Sequence, residues 1–292
     1  MPLQGSGQIS LNDIATEFGG SQPHNLSEYY GKGNAPGSGE IQIGADFYGT
    51  ANTYNIEYVV VAGGGGSSGG TNTSHGYGAG GAGGYRTATA TLTAGASGMT
   101  VTVGGGGGGT GMLPSHHTNT GASNGGNSSF NGTSSTGGGG GGFRRNGNSG
   151  GSGGGGGFYS GDYRGRGWQN HSGGSGNAGG YSPSEGNSGS GTSGTQYGNG
   201  GAGGELPSSN RTWLNGTAYA ERGQCTGSGS SGPANTGKGA NSRRNQYGGG
   251  HTGGSGVVII RYAGAQRGSG GSVSSSGGYT YHQFNNSGTY NP

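Results

Sequence analysis

Cysteine is almost absent from this chain. Cys225 is the single thiol in 292 residues, which excludes an internal disulfide framework and any multi-thiolate metal site. Charge is scarce as well: 8% of residues are charged and the net balance is +3, too little for the high net charge that usually accompanies disorder. With 8 prolines and no strict Gly-X-Y phase, a collagen triple helix is excluded. No window of about 18 apolar residues exists, so no membrane-spanning helix is expected. The N-terminus lacks a basic segment followed by an apolar run, so no secretory signal is expected either. Hydrophobic residues make up 24% of the chain, far below the globular norm. Stability must therefore come from backbone hydrogen bonds, aromatic packing or association.

What the chain has is glycine. Of its 86 glycines, 69 lie between Gly63 and Gly256. Two β-branched runs bracket that tract, Tyr58-Val59-Val60-Val61 before it and Val257-Val258-Ile259-Ile260 after it. Charge divides along the same line. Residues 1–62 carry six acids against Lys32, and the remainder carries twelve bases against four acids. Such a split marks modules with different neighbours. We divide the chain into a module at 1–50, a glycine-rich domain at 51–264 and a tail at 265–292.

In the first module Ser10-Leu11-Asn12-Asp13 reads as a helix start, with Ser10 as N-cap, Asp13 closing a capping box and Ile9 and Ile14 forming a hydrophobic staple. Leu11, Ile14, Ala15 and Phe18 share one face, and Gly19-Gly20 ends the helix. A second short turn is expected at 26–30, and Gly39-Glu40-Ile41-Gln42-Ile43 alternates like a short strand. In the second module strands are expected near 55–61, 86–92, 99–103 and 257–262, with 94–98 as a hairpin loop. The runs Gly104–Gly109, Gly137–Gly142 and Gly153–Gly157 admit two readings. Glycine loses the most backbone entropy on ordering, which favours coil. Glycine also keeps its N–H, so extended three-residue-per-turn helices of the polyglycine II kind can bond laterally and pack closely. We expect the ordered form. The fold class is then mainly β and irregular: a small α-containing module, short strands and packed polyglycine II helices.

No catalytic constellation is present, and an enzyme is not expected. The many Gly-x-Gly-x-x-Gly matches arise from composition, and none links a strand to a helix with an acid about 20 residues on. His75, His116, His117, His171 and His251 lack partners at ligand spacing, so neither a metal nor another cofactor is expected. Two aromatic–basic clusters stand out: Phe158, Tyr159, Tyr163, Arg164, Arg166 and Trp168, and then Arg211, Trp213, Tyr219 and Arg222. Aromatics with arginine are the favoured hot-spot types of binding surfaces, and equally could shield a glycine lattice that has no side chains of its own. Charge density is too low for an RNA-binding reading to lead, so no nucleic acid is expected.

Two stretches also resemble known families. Ser6-Gly7-Gln8-Ile9-Ser10-Leu11-Asn12-Asp13-Ile14, Glu17-Phe18-Gly19-Gly20, Leu26-Ser27-Glu28-Tyr29-Tyr30 and Asp46-Phe47-Tyr48-Gly49 resemble a module of tail-associated virion proteins of bacteriophages, notably marine cyanophages. Glu57-Tyr58-Val59-Val60-Val61-Ala62-Gly63-Gly64-Gly65-Gly66, Gly80-Gly81-Ala82-Gly83-Gly84-Tyr85-Arg86 and Gly253-Gly254-Ser255-Gly256-Val257-Val258-Ile259-Ile260-Arg261-Tyr262 resemble the glycine-rich domain of phage tail-fibre and adhesin-type proteins. The resemblance implies a structural protein of the virion tail. Ile9, Leu11, Ile14, Phe18, Tyr29, Tyr30, Phe47 and Tyr48 would dock to other tail proteins. It also implies a polyglycine II sandwich whose distal loops contact a host glycan or outer-membrane protein, in a homo-oligomer or in several copies per particle, without membrane insertion. An extracellular glycine-rich filament subunit is the alternative. Gly278-Tyr279-Thr280-Tyr281-His282-Gln283-Phe284 resembles a leader strand that precedes such domains; standing last here, it is expected to pair back onto the sheet.

Overall fold

The computed structural model describes residues 2–70, 76–111, 121–158, 169–192, 201–243 and 248–292. Among the described residues strands and bridges take up 27% and helices 8%, so the fold is mainly β and irregular. The N-terminal module holds α1 (Leu11–Phe18), a 3-10 turn at Leu26–Tyr29 and α2 (Ile43–Phe47). Ser10 caps α1 with the reciprocal Asp13 bond, and Asn25 and Glu28 repeat that device at the 3-10 turn. The expected strand at 39–43 is not formed. Ile43 instead begins α2, and the Asp46 carboxylate accepts from the Gln42 N–H at 2.7 Å, which ties down the start of that helix. Ile14, Phe18, Tyr29, Ala35 and Phe47 form the module's core.

The strands are β1 (Thr53–Val61), β2 (Tyr85–Thr93), β3 (Met99–Thr102), β4 (Ser128–Phe130), β5 (Thr133–Ser135), β6 (Cys225–Thr226), β7 (Ser228–Ser230), β8 (Asn241–Arg243), β9 (Val257–Ala263), β10 (Ser272–Ser276), β11 (Tyr279–Phe284) and β12 (Gly288–Tyr290). They build a five-stranded sheet in the order β10-β11-β9-β1-β2, a four-stranded sheet β12-β3-β4-β5 and a three-stranded sheet β6-β8-β7. The C-terminal strand β11 does pair back, antiparallel to β9. The expected hairpin at 94–98 does not form. β2 stays on β1 while β3 crosses to the other sheet, between β12 and β4, so the link joins two layers. The reason lies in Val101: it is fully buried with Phe130 and Tyr290 against Tyr54, Ile56, Tyr58 and Val60 of β1, and this apolar layer holds the two sheets face to face.

Beyond the Val61 end of β1 the glycine segments run as extended rods. Gly63 and Gly66 donate to the carbonyls of Gly126 and Ser123; Gly64 and Ser67 donate to Gly254 and His251; Gly65 and Ser68 donate to Gly81 and Gly78. Every third residue thus addresses the same neighbour, the repeat of a helix with three residues per turn. The carbonyls of Gly63, Gly64 and Gly65 accept from Gly138, Gly107 and Ala240, three further rods. The rod at 63–68 is therefore surrounded on all sides by hydrogen-bonded neighbours. The rod at 78–84 repeats the pattern, donating to Gly142, Gly201 and Ala240 and then, three residues on, to Gly139, Gly204 and Gly237. These are packed polyglycine II helices. Their glycines are needed for space: none of Gly63–Gly66, Gly78–Gly84 or Gly137–Gly142 has a positive φ, yet a Cβ on almost any of them would fall within 3 Å of a neighbouring rod.

Candidate functional site

The rods give the molecule two ends. The N-terminal module attaches at the Thr53 end of β1, where Asn52 donates to the Glu17 carboxylate at 2.9 Å. The rods leave from the opposite end. At their far tips Gly70 bridges Gly248, Gly76 bridges Phe158, and the Thr192 N–H donates to the His171 carbonyl. The residues flanking all five intervals 71–75, 112–120, 159–168, 193–200 and 244–247 therefore belong to this distal end. Of the first aromatic–basic cluster, Phe158 alone is among the described residues. Phe158 is fully buried against the rods, a correction to its expected role in contact. Tyr159, Tyr163, Arg164, Arg166 and Trp168 lie outside the described residues.

The second cluster is at the other end of the rods, and it is not an open contact surface. Trp213 is 3% exposed and Tyr219 6%. Both lie on the face of the five-stranded sheet that the sandwich core leaves free, over Val59, Val61, Val257 and Ile259. Trp213 meets Tyr281 edge-on at 6.2 Å. Arg211 is buried too; it pairs with Glu205 at 3.2 Å and Glu221 at 3.9 Å and donates to the carbonyls of Leu206 and Tyr219. Those bonds leave its guanidinium committed within the chain. Arg222 is exposed but pairs with Glu205 at 3.4 Å. The hydrogen bond from Lys238 holds the Glu221 carboxyl below its ordinary range. Of the four expected contact residues here, Arg211, Trp213 and Tyr219 are thus corrected to a structural cap. Aromatic and basic residues in one short segment look alike whether they face a ligand or cover a bare sheet, and only the apolar stripe of β1 and β9 decides it.

What this cap leaves open is a cleft of about 310 Å³ between its residues Asn210 to Leu214 and strands β1 and β2, edged by Glu57, Tyr85, Thr87 and Thr89. Burial pushes the Tyr85 hydroxyl up to about 12, so it remains a neutral donor. Sequence reasoning did not single out these edge residues, because alternating threonines read only as a strand.

A family model described as "Glycine-rich domain" matches residues 44–263. The chain belongs to that glycine-rich domain family. No curated protein matches it, and no solved structure does. The glycine-rich domain thus runs from α2 to the last residue of β9, and β10, β11 and β12 complete its two sheets from outside the matched span. Among the described residues no group of His, Cys, Asp and Glu is placed to hold a metal ion, and no helix is long and apolar enough to cross a membrane.

The N-terminal residues expected to dock divide by burial. Ile14, Phe18, Tyr29 and Phe47 face one another in the module's core, which corrects their role from contact to scaffold. Ile9, Leu11 and Tyr48 are half-buried and Tyr30 is exposed. A cleft of about 310 Å³ opens beside Leu3, Ile9, Asp13 and Glu17, apolar on one side and acidic on the other.

Proposed function

We propose that this glycine-rich domain protein is a structural component of a bacteriophage tail, anchored by its N-terminal module and presenting its distal loops to the host surface. The observation that carries the reading is the two-ended build: an acidic module at the Thr53 end of the sheet, a rod lattice beyond it, and bridged rod tips such as Gly70–Gly248 and Gly76–Phe158 at the far end. A lattice bonded on all sides transmits position from one end to the other without side chains. Recognition then belongs to the tips, where glycine gives way to other residues. The sequence resemblances of residues 5–49 and of the strands flanking the glycine tract support the same reading. The net positive charge after residue 62 suits an anionic glycan as the surface met. Purified particles analysed by mass spectrometry should contain the chain, and the isolated full-length protein should compete with particles for adsorption to host cells. Particles lacking the chain would end the proposal; particles that contain it, with no competition by the free protein, would reduce it to a purely structural role.

A further inference from the structure

Over residues 87–91 one edge of the five-stranded sheet is left without the features that usually blunt a sheet edge. β2 is nine residues long, contains no proline or lysine, and has β1 on one side only. Its phase follows from its two ends. Gly84 accepts from Ala62, and Ala94 donates to Asn52, so the even-numbered residues from 84 to 94 bond to β1. Thr87, Thr89 and Thr91 therefore aim their N–H and carbonyl groups outward, and none of these groups has a partner among the described residues. Their side chains are exposed as well. At the end of this window the Tyr85 N–H is taken by the Glu185 carbonyl, which closes the edge there.

The open window reads Thr87-Ala88-Thr89-Ala90-Thr91, the same in both directions. We propose that it is a dimer interface, in which β2 pairs antiparallel with β2 of a second copy about a two-fold axis at Thr89. In that register Thr87 faces Thr91 of the second copy, Thr89 faces Thr89, and Thr91 faces Thr87. Each is a hydrogen-bonded pair, so the outward groups exchange about six inter-chain bonds with none left over. Threonine opposite threonine is a favourable cross-strand pair, and the alternating alanines put no bulky side chain between them. The two five-stranded sheets become one continuous sheet. A two-fold contact of this kind uses the same patch on both chains and closes on itself, so it yields a dimer and not a filament. The inference does not depend on where in a particle the chain sits.

Sedimentation velocity on the full-length chain tests it. The parent should sediment at twice the 28.1 kDa of one chain. Thr89→Pro removes only an outward N–H, which an edge strand tolerates, and should weaken association roughly tenfold or more. Thr89→Lys and Thr89→Glu should each be monomeric, because like charges meet at the axis, and mixing the two should restore the dimer. Far-UV circular dichroism spectra of the charged variants that match the parent's show that the fold is intact, since loss of the dimer itself lowers the melting temperature. A monomeric parent, a Thr89→Pro or Thr89→Lys variant that keeps the dimer mass, or a Lys/Glu mixture that stays monomeric would each overturn the proposal.

Discussion

A Cβ built on Gly65 would lie 2.1 Å from the carbonyl oxygen of Gly139 on the neighbouring rod. That oxygen cannot move far, since the Gly139 unit is itself bonded to Ser152 and Gly81. Gly65→Ala should therefore cost about 3 kcal/mol or more through overpacking. Gly108, on the outer face of the rod at 104–111, has nothing within 4 Å and no positive φ. There Gly108→Ala should stabilise by about 0.5 kcal/mol, by narrowing the unfolded ensemble. Thermal melts of the two variants, shifted in opposite directions, check this; equal shifts would mean the rods are not close-packed.

Where a rod lacks a backbone neighbour, asparagine substitutes for one. The side-chain carbonyls of Asn124 and Asn127, three residues apart, accept from the N–H groups of Gly140 and Gly137, also three apart, each at 2.9 Å. Asn124 also donates to the Ser149 carbonyl at 2.8 Å. Asn124→Ala strands the buried Gly140 N–H and should cost about 1–3 kcal/mol. Denaturant titration of Asn124→Ala beside an exposed control, Asn12→Ala, measures the difference.

How much of this was legible in the sequence depends on whether side chains carried the signal. β1 and β9 are β-branched runs, and the capping box at Ser10 and Asp13 is written in residue types, so both could be read directly. The crossing of β3 to the second sheet was not legible, because Met99 to Thr102 alternates in the same way whichever strand it joins. The rods' neighbours were hidden for a deeper reason: a glycine run has no pattern, and only the hydrogen-bond phase of residues such as Gly63, Gly64 and Gly65 identifies the partner. At the candidate site, Trp213 and Arg211 were visible as a cluster but not as a cap, since the hydrophobic surface they cover comes from residues more than 40 positions away.

His282 gives the fold a pH dependence. It is fully buried between two partners: the Gly270 carbonyl 2.8 Å from Nδ1, which makes Nδ1 the donor, and the Tyr262 hydroxyl 2.9 Å from Nε2, which makes Nε2 the acceptor. Burial lowers its pKa, opposed by the bond to Gly270, and burial also lowers those of His171 and His251. A histidine held neutral in the fold but free to charge when unfolded makes the unfolded state bind more protons. Stability is then complete above about 6.5, the unfolded value, and is lost as pH falls from there toward the lowered folded values. Melting temperatures should be flat from neutral to mildly alkaline pH and fall steadily below it. NMR titration of the His282 ring should give a midpoint under that of a free histidine; a midpoint above it would reverse the sign.

The two tryptophans should answer differently to the same substitution. Trp213 is buried over Val59 and Ile259, with the Arg261 guanidinium 5.9 Å from its ring centroid, so Trp213→Ala uncovers one face of the five-stranded sheet. The expected loss is about 3–5 kcal/mol, the range for truncating a buried aromatic. Any fall in adsorption would then follow from unfolding, and cooling should recover part of it. Trp168 lies outside the described residues and belongs to the aromatic–basic cluster for which recognition is proposed. Trp168→Ala should leave the melting temperature within a degree or two of the parent and reduce adsorption to host cells at every temperature. Melting curves and adsorption rates measured on the same two variants separate the roles. Normal adsorption by a well-folded Trp168→Ala particle would remove Trp168 from the contact surface, and a parental melting temperature for Trp213→Ala would show that the sheet does not need its cap.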